Sequence, residues 1–325
     1  MKINELDALR RVDPAAGIPD GPLTEQELAV LDRIRTRIAA EQHVAPINGS
    51  THQKPVRRRV VLLGAAAASV AIGAAGVVID PFGSTGVAMA VTPPLLDHEL
   101  AAGRPANAEL IALAAKAARD TTLPGSSGGV HTVRAQSWNL STNVDGEKVT
   151  SAVVPEQSEL TWSSVDLSGQ LVRKDSKTGK VVDNLTWAKG TYEQGFSYPL
   201  SGDPTSLRAQ LQAGHDIDAN GTVALTEAVG DVYNETMPVP AVRSALLTLL
   251  SGRKDVVALG PMVDRAGRTG AAFAVETDAS GLPTRYVLIF DPATGRLLAD
   301  EEVLTKTAGK LNVRVPSVIG YTLYQ

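Results

Sequence analysis

The sequence contains no cysteine among its 325 residues. This absence excludes disulfide bonds, a thiol nucleophile, zinc bound by cysteine ligands and the acylated cysteine of a lipoprotein. Any part of the chain outside the cytoplasm must therefore be stabilised by packing alone, which a chain of this length permits.

The recurring motifs of enzymes are also missing. There is no G-x-x-x-x-G-K-[ST] phosphate loop, and the five histidines are scattered with no i, i+4 pair for a metal. Ser126 and Ser127 lie in the Gly-rich stretch Gly125–Gly129, which we interpret as a linker rather than a nucleophile elbow. The sequence therefore predicts a protein that is not an enzyme.

The charges give no indication of nucleic-acid binding. Residues 1–59 hold ten Lys and Arg against eight Asp and Glu, and residues 80–325 hold 21 against 27. A nucleic-acid-binding domain would carry a clear basic excess. We therefore expect no nucleic acid among the partners.

Residues 60–79 carry no charge at all. Val60 to Ile79 comprise nine Val, Leu or Ile residues, seven Ala, three Gly and Ser69. Twenty helical residues at about 1.5 Å each span ~30 Å, the thickness of the bilayer hydrocarbon core. The run therefore predicts one transmembrane helix.

The flanking charges predict its orientation. Lys54, Arg57, Arg58 and Arg59 precede the span, and no further Lys or Arg occurs until Arg104. Because basic flanks stay inside, the N-terminus should be cytoplasmic and the C-terminal part outside the cell membrane. The predicted parts are a cytoplasmic segment (1–59), the span (60–79), a Pro-rich stalk (80–105) and an extracytoplasmic domain (106–325).

An exported, cleaved chain is the alternative. Arg58-Arg59 before Val60 resembles a twin-arginine signal, and Ala88-Met89-Ala90 resembles a cleavage site. The apolar run is longer than a usual signal core and follows a long N-terminal segment, which favours an uncleaved anchor.

The cytoplasmic segment is predicted to form two short helices and a linker. Thr24 and Glu27 form a capping box, after which Leu28, Leu31, Ile34 and Ile38 form one apolar stripe. Such short helices cannot bury a core of their own. The stripe either binds a cytoplasmic regulatory protein or belongs to a loosely ordered tail, and the sequence favours neither.

The domain from residue 106 has the pattern of an α+β fold. Predicted strands are Val130–Leu140, Ser158–Asp166, Gln170–Asp175, Val181–Lys189, Val256–Val263, Ala271–Asp278, Arg285–Asp291, Arg296–Leu304 and Val313–Leu323. Predicted helices are Ala106–Asp120, Pro204–Ala213, Ala228–Glu235 and Val242–Leu250. Short turns between strands indicate antiparallel pairing, so we expect one curved antiparallel sheet with helices on one face.

One segment matches a calcium-binding template. Asp216, Asp218, Asn220, Thr222 and Glu227 occupy the ligand positions of the EF-hand pattern D-x-[DN]-x-[DN]-G-x5-E. Calcium is therefore the candidate ion, and no other cofactor is expected. The alternative is an acidic turn between two helices, which Asp and Asn also favour.

Three tryptophans lie in the first group of strands. Trp138, Trp162 and Trp187 are interpreted as core residues. If all three line one concave face of the sheet, they could receive an apolar ligand.

Several short motifs are distributed over the chain: Leu6–Ala15, Arg57–Arg59, Val91–Leu95, Trp162 with Asp166–Gly169, Pro240–Leu246 and Phe290–Leu298. Together they resemble a family of actinobacterial single-span membrane proteins whose genes often neighbour sigma-factor genes. The resemblance implies no enzyme activity and no established functional residues. An anchor followed by a sheet-and-helix domain also resembles periplasmic regulators of anti-sigma systems and lipoprotein carriers.

Taken together, these features predict a single-pass membrane protein with a regulatory, anti-sigma-like sensor function and a binding domain outside. The alternative is a membrane-anchored carrier or chaperone of lipid-like or lipoprotein-like apolar ligands. An alanine or glutamate change in the Leu28–Ile38 stripe should impair the sensor and leave a carrier unaffected.

Overall fold

The structure is a computed structural model that describes residues 90–121, 129–145, 148–279 and 281–325. The predicted cytoplasmic segment, the predicted span and the first part of the predicted stalk lie outside these residues. Among the helices in the described ranges, none has the length and apolar character needed to cross a membrane.

The described residues form ten strands and four helices. The strands are β1 (Arg104–Pro105), β2 (Val130–Asp145), β3 (Lys148–Ser163), β4 (Gly169–Asp175), β5 (Val181–Trp187), β6 (Val257–Val263), β7 (Thr269–Thr277), β8 (Thr284–Phe290), β9 (Leu297–Leu304) and β10 (Ser317–Tyr324). The helices are α1 (Asn107–Ala117), α2 (Pro204–His215), α3 (Ile217–Glu235) and α4 (Pro240–Ser251). The predicted α+β class is confirmed.

The strands form one open antiparallel sheet in the order β1-β6-β7-β8-β9-β10-β2-β3-β4-β5. The last strand, β10, lies between β9 and β2, where Tyr321 is opposite Trp138. Pairing of β10 with β2 therefore joins the strands before the helices to the strands after them.

The helices pack against one face of the sheet. Strand β8 makes this clear, because its side chains alternate between the two faces. Leu288 and Phe290 belong to the large apolar core that includes residues of all four helices. Val287 and Ile289 belong to a smaller apolar cluster on the opposite face, to which no helix contributes. Burial on both faces explains why this strand is a continuous apolar run.

Helix α2 begins where the sequence predicts. Asp203 Oδ1 accepts a hydrogen bond of 2.8 Å from Ser206 N, and Pro204 occupies the first turn. An N-cap aspartate and an early proline both favour a helix start. Leu207 and Leu211 then bury one face of this helix in the core.

Several elements are longer than predicted, and β3 and α3 differ most at their starts. Strand β3 begins at Lys148 rather than Ser158, and α3 begins at Ile217 rather than Ala228. For α3, the local pattern favours a loop, and Gly221 interrupts the helix with a φ of 65°. However, Ile217 and Leu225 are each only 1% exposed. Burial of these side chains against the core outweighs the local preference.

Candidate functional site

Residues 90–103, here called the strap, cross the sheet on the face opposite the helices. Ala90 N donates a hydrogen bond of 2.7 Å to Asn312 O, and Ser317 Oγ donates one of 2.9 Å to Thr92 Oγ1. Leu96 packs against the apolar cluster on this face. The sequence assigned these residues to a stalk separate from the domain. The structure places them against the sheet, because their polar and apolar groups find partners there.

The C-terminal half of the strap is also attached. Arg285 Nη1 on β8 donates hydrogen bonds of 3.0 Å to the backbone oxygens of both Glu99 and Ala101. Gly103 lies so close to β6 that an added Cβ would stand 2.5 Å from Val257 Cβ. The following residues, Arg104–Pro105, pair with β6 as strand β1. The strap is therefore held to the sheet along its whole length.

Two carboxyl groups meet under the strap. Glu99 of the strap is 0% exposed and Glu301 of β9 is 1% exposed, and their side chains are in hydrogen-bonding contact. Glu99 Oε2 accepts a hydrogen bond of 2.8 Å from Leu96 N, and Glu301 Oε2 accepts one of 2.7 Å from Arg265 Nη2. When two carboxyl groups lie this close, ionisation of both is disfavoured by their mutual repulsion.

The residues around the pair determine whether Glu301 is protonated. Burial raises the pKa of Glu301 to about 9, with the hydrogen bond and charge of Glu99 adding to the rise and Arg265 opposing it. Burial of a carboxyl group favours its neutral form. Glu301 is therefore protonated at neutral pH.

An aromatic row continues from this pair along the same face. The guanidinium of Arg265 lies 4.9 Å from the ring centroid of Tyr321, within the range of a cation–π contact. The Tyr321 ring in turn stacks on Trp138 with centroids 6.3 Å apart. Burial raises the pKa of the Tyr321 hydroxyl, so this group is neutral at physiological pH.

A second aromatic cluster lies on the helix-covered face. The rings of His131 and Trp162 stack with centroids 4.4 Å apart, and Tyr192 lies 5.3 Å from Trp162 and 5.1 Å from Trp187. Burial lowers the pKa of His131, which favours the neutral ring. These rings pack on β3–β5 together with the loop that contains Tyr192 and Tyr198, and Trp162 connects them to the end of α3.

Glu235, at the end of α3, joins this cluster to a neighbouring loop. Its backbone oxygen accepts a hydrogen bond of 2.6 Å from Trp162 Nε1. Its two carboxylate oxygens each lie 3.1 Å from Gly195 N, and Tyr198 OH donates a bond of 3.2 Å to Oε2. A carboxylate with these partners has a structural role.

The three tryptophans do not share one face. Trp162 and Trp187 are buried in the cluster on the helix side, so their interpretation as core residues is confirmed. Trp138 faces the other side, where it stacks on Tyr321. Trp138 lies an odd number of residues from His131 on the same strand, and side chains alternate between faces along a strand. A ligand groove lined by all three is therefore not formed.

The residues predicted to bind calcium contact groups of the protein itself. Asp216 caps α3, accepting a hydrogen bond of 3.4 Å from Ala219 N. Asp218 forms an ion pair with Arg208. Thr222 Oγ1 donates a hydrogen bond of 2.7 Å to Asp255 Oδ1.

Asn220 and Glu227 lie further along the same helix. Asp216 has a φ of 45° and forms a turn between α2 and α3, as the acidic-turn alternative requires. The part of the chain that the structure describes has no group of three or more His, Asp or Glu side chains arranged for a metal ion. Calcium binding here stays a prediction, and an EF-hand loop would require this helical segment to unwind.

The other predicted functional residues lie outside the described residues. These are the partner-binding stripe Leu28, Leu31, Ile34 and Ile38, and the membrane residues Arg57, Arg58, Arg59, Val60 and Ile79. Both assignments stay predictions.

Two motifs of the family resemblance contact each other. Arg243, in Pro240–Leu246, donates from Nε to Thr294 O at 3.2 Å, and Thr294 belongs to Phe290–Leu298. The buried guanidinium also donates to Pro238 O at 3.0 Å and pairs with Asp120. These motifs therefore mark contacts that stabilise the fold.

Comparison with known proteins identifies no family. No family model matches the chain, and no curated protein matches it. One solved structure, GphF Dehydratase 1, is 11% identical with a TM-score of 0.12, over 65% of this chain and 79% of that chain. A similarity at this level carries no argument about fold or function.

Proposed function

We propose that the chain is a single-pass membrane protein that senses a signal outside the cell membrane and reports it to a cytoplasmic regulatory protein. Residues 60–79 would form the anchor, the described domain would bind the signal, and the Leu28–Ile38 stripe would bind the partner. The anti-sigma-like role rests on the resemblance of the sequence motifs, and the proposed partner is therefore a sigma factor.

The attachment of the strap is the observation that supports this proposal. A sensor requires a mechanical connection between its binding domain and its anchor, whereas a flexible stalk would transmit no change. The strap follows the predicted span closely in sequence and is fastened by Ser317, Arg285 and the Glu99–Glu301 pair. A change in the sheet would therefore alter the segment that leads to the membrane.

The carrier alternative has less support from the described residues. A carrier of apolar ligands needs an open apolar surface, most naturally between the sheet and the helices. On that side of the sheet, Trp162, Trp187 and Tyr192 form a buried cluster in which Trp162 is 1% exposed. The protein's own aromatic rings occupy the place that a ligand would take.

The test is capture of partners by the full chain in membranes. Leu31→Glu with Ile34→Glu places two negative charges on the apolar stripe. Ala29→Glu with Thr36→Glu places the same two charges on the opposite face of the predicted helix and is the matched control. We expect the unmodified chain and the control to be crosslinked to a sigma factor, and the stripe variant to lose it. Equal recovery with all three chains, or recovery with none, would contradict the proposal.

A further inference from the structure

The charges under the strap do not balance when both carboxyl groups ionise. Glu99 and Glu301 are fully buried, and the guanidinium of Arg265 bonds to Glu301. With one proton present, one carboxylate faces one guanidinium. Without it, two buried carboxylates would lie together while Arg265 is bonded to only one of them, which is strongly unfavourable.

The unpaired atoms indicate where the proton lies. Glu99 Oε1 and Glu301 Oε1 are buried, and within the described ranges neither has a hydrogen-bond donor from another residue. The other oxygen of each group already accepts a bond, from Leu96 N and from Arg265. A proton between the two free oxygens satisfies both of them at once.

The other charged groups near the pair make contacts of their own, although Arg285 Nε is buried without a hydrogen-bond partner among the described residues. Arg285 on β8 bonds to the strap backbone and, at 3.2 Å, to Glu276. Asp264, beside Arg265, pairs with Arg268 at 2.6 Å. Tyr321 on β10 presents its ring to Arg265, and its hydroxyl is neutral. On β9 itself, the neighbours of Glu301 alternate to the opposite face of the sheet.

We propose that the proton shared by Glu99 and Glu301 is a latch that holds the strap on the sheet, and that its loss at raised pH releases the strap. This inference concerns the described domain alone and holds whether or not the chain crosses a membrane. A signal that perturbs the pair, such as a local rise in pH, would then change how the domain is attached to the segment that precedes it.

The strap is the part that moves when the proton is lost. Strand β9 is hydrogen-bonded on both sides, to β8 and to β10. In the strap, Glu99 N and Ala101 N bond to Leu96 O and His98 O, which are local turn contacts. The middle of the strap is held by these turn contacts and by side-chain bonds rather than by paired strands, so it opens more readily than β9.

The absence of cysteine allows a direct test on the full chain. Leu96→Cys places a single thiol on the strap, where Leu96 packs partly buried against the sheet. The rate of labelling by N-ethylmaleimide is measured from pH 6 to pH 9, alone and together with Glu301→Gln. At each pH, the rate for Leu96→Cys is divided by the rate for Leu96→Cys combined with Glu301→Gln. This ratio removes the pH dependence of the thiol itself. The amide of Glu301→Gln can donate to Glu99 but cannot lose a proton in this range.

We expect this ratio to rise with pH by up to about tenfold per unit, the limit set by release of one proton. Glu99→Gln should give the flat profile of Glu301→Gln, since it also removes the shared proton. Glu302→Gln, a neighbour on the same strand that faces the other side, should retain the rise. A ratio that does not change with pH, or a rise that persists in Glu99→Gln, would overturn the proposal.

A measurement without variants covers the case in which an amide at either position prevents folding. Hydrogen exchange of the unsubstituted chain, corrected for intrinsic exchange rates, should show strap amides such as Leu96 N losing protection above pH 7. Amides in β8 and β9 should keep theirs. Equal behaviour of the strap and of these strands would also overturn the latch.

Discussion

Trp162 Nε1 donates a hydrogen bond of 2.6 Å to the backbone oxygen of Glu235. The donor is on β3 and the acceptor is the last residue of α3, so this bond ties the sheet to the helix layer. Trp162 is 1% exposed and Glu235 is 4% exposed, which excludes water as a substitute partner. A buried acceptor that loses its donor costs more than the bond itself contributes.

Replacing Trp162 by phenylalanine tests how much this hydrogen bond contributes to the free energy of unfolding. We expect Trp162→Phe to lower the free energy of unfolding by about 1–3 kcal/mol more than Trp138→Phe does, because the first change removes the buried hydrogen bond to Glu235. Both changes remove similar apolar area from sites that are nearly buried. Urea unfolding followed by circular dichroism gives the two values, and equal losses would contradict the role of this bond.

Arg243 supports the junction of α1, α4 and the turn before β9. It donates to Pro238 O and Thr294 O and pairs with Asp120, and its side chain is 2% exposed. We expect Arg243→Lys to destabilise the domain by about 3 kcal/mol, since a lysine cannot reach three separated acceptors in one plane.

The control is Arg119→Lys, which makes the same substitution at an exposed residue near Asp120. It should change the unfolding midpoint little, because exposed charges contribute little to stability. A small effect of Arg243→Lys, comparable to that of the control, would show that the motif around Pro240–Leu246 has another role.

The Glu99–Glu301 pair predicts that the stability of the whole domain depends on pH. The pKa of Glu301 rises from an ordinary value of 4.5 to about 9 on folding, so the folded chain binds this proton more tightly than the unfolded chain. Its stabilisation is complete below pH 4.5 and is lost as the pH rises towards 9. Glu301→Gln carries no proton to lose in this range.

We therefore expect the urea midpoint of the unsubstituted chain to fall from pH 6 to pH 9 relative to that of Glu301→Gln. The two profiles should differ most at the alkaline end, with the variant more stable there. Glu302→Gln should follow the unsubstituted chain. Parallel profiles for all three chains would indicate that the pair does not carry a shared proton.

Much of the fold can be predicted from local patterns, but the strap cannot. Helix α2 carries an N-cap aspartate and a proline at its start, and β8 is a continuous apolar run, so both are evident in the sequence. The strap carries prolines and charges and only scattered apolar residues. Its position depends on partners far away in sequence, such as Arg285 and Glu301, which no local pattern indicates.

The candidate site was missed for the same reason. A glutamate between two short apolar segments is typical of a solvated turn, and Glu99 would be assigned to the surface from composition alone. Glu301 lies in a strand whose sequence, Leu297–Leu304, contains three consecutive acidic residues. This interruption of an otherwise apolar strand was the available signal, since an acid buried in a central strand requires a specific partner.

The predicted topology is tested with single cysteines, because the natural chain has none. Ser50→Cys lies before the apolar run and Ser84→Cys lies after it. We expect a membrane-impermeant maleimide to label Ser84→Cys on intact cells and Ser50→Cys only after the membrane is permeabilised, since basic flanks remain inside.

The unsubstituted chain, which should take up no label, controls for non-specific reaction. The mass of the labelled protein decides between an anchor and a cleaved signal, because cleavage after Ala90 would remove residue 84 from the domain. A full-length labelled chain would support the anchor. Labelling of both cysteines on intact cells, or of neither after permeabilisation, would refute the orientation and with it the proposal that the Leu28–Ile38 stripe meets a cytoplasmic partner.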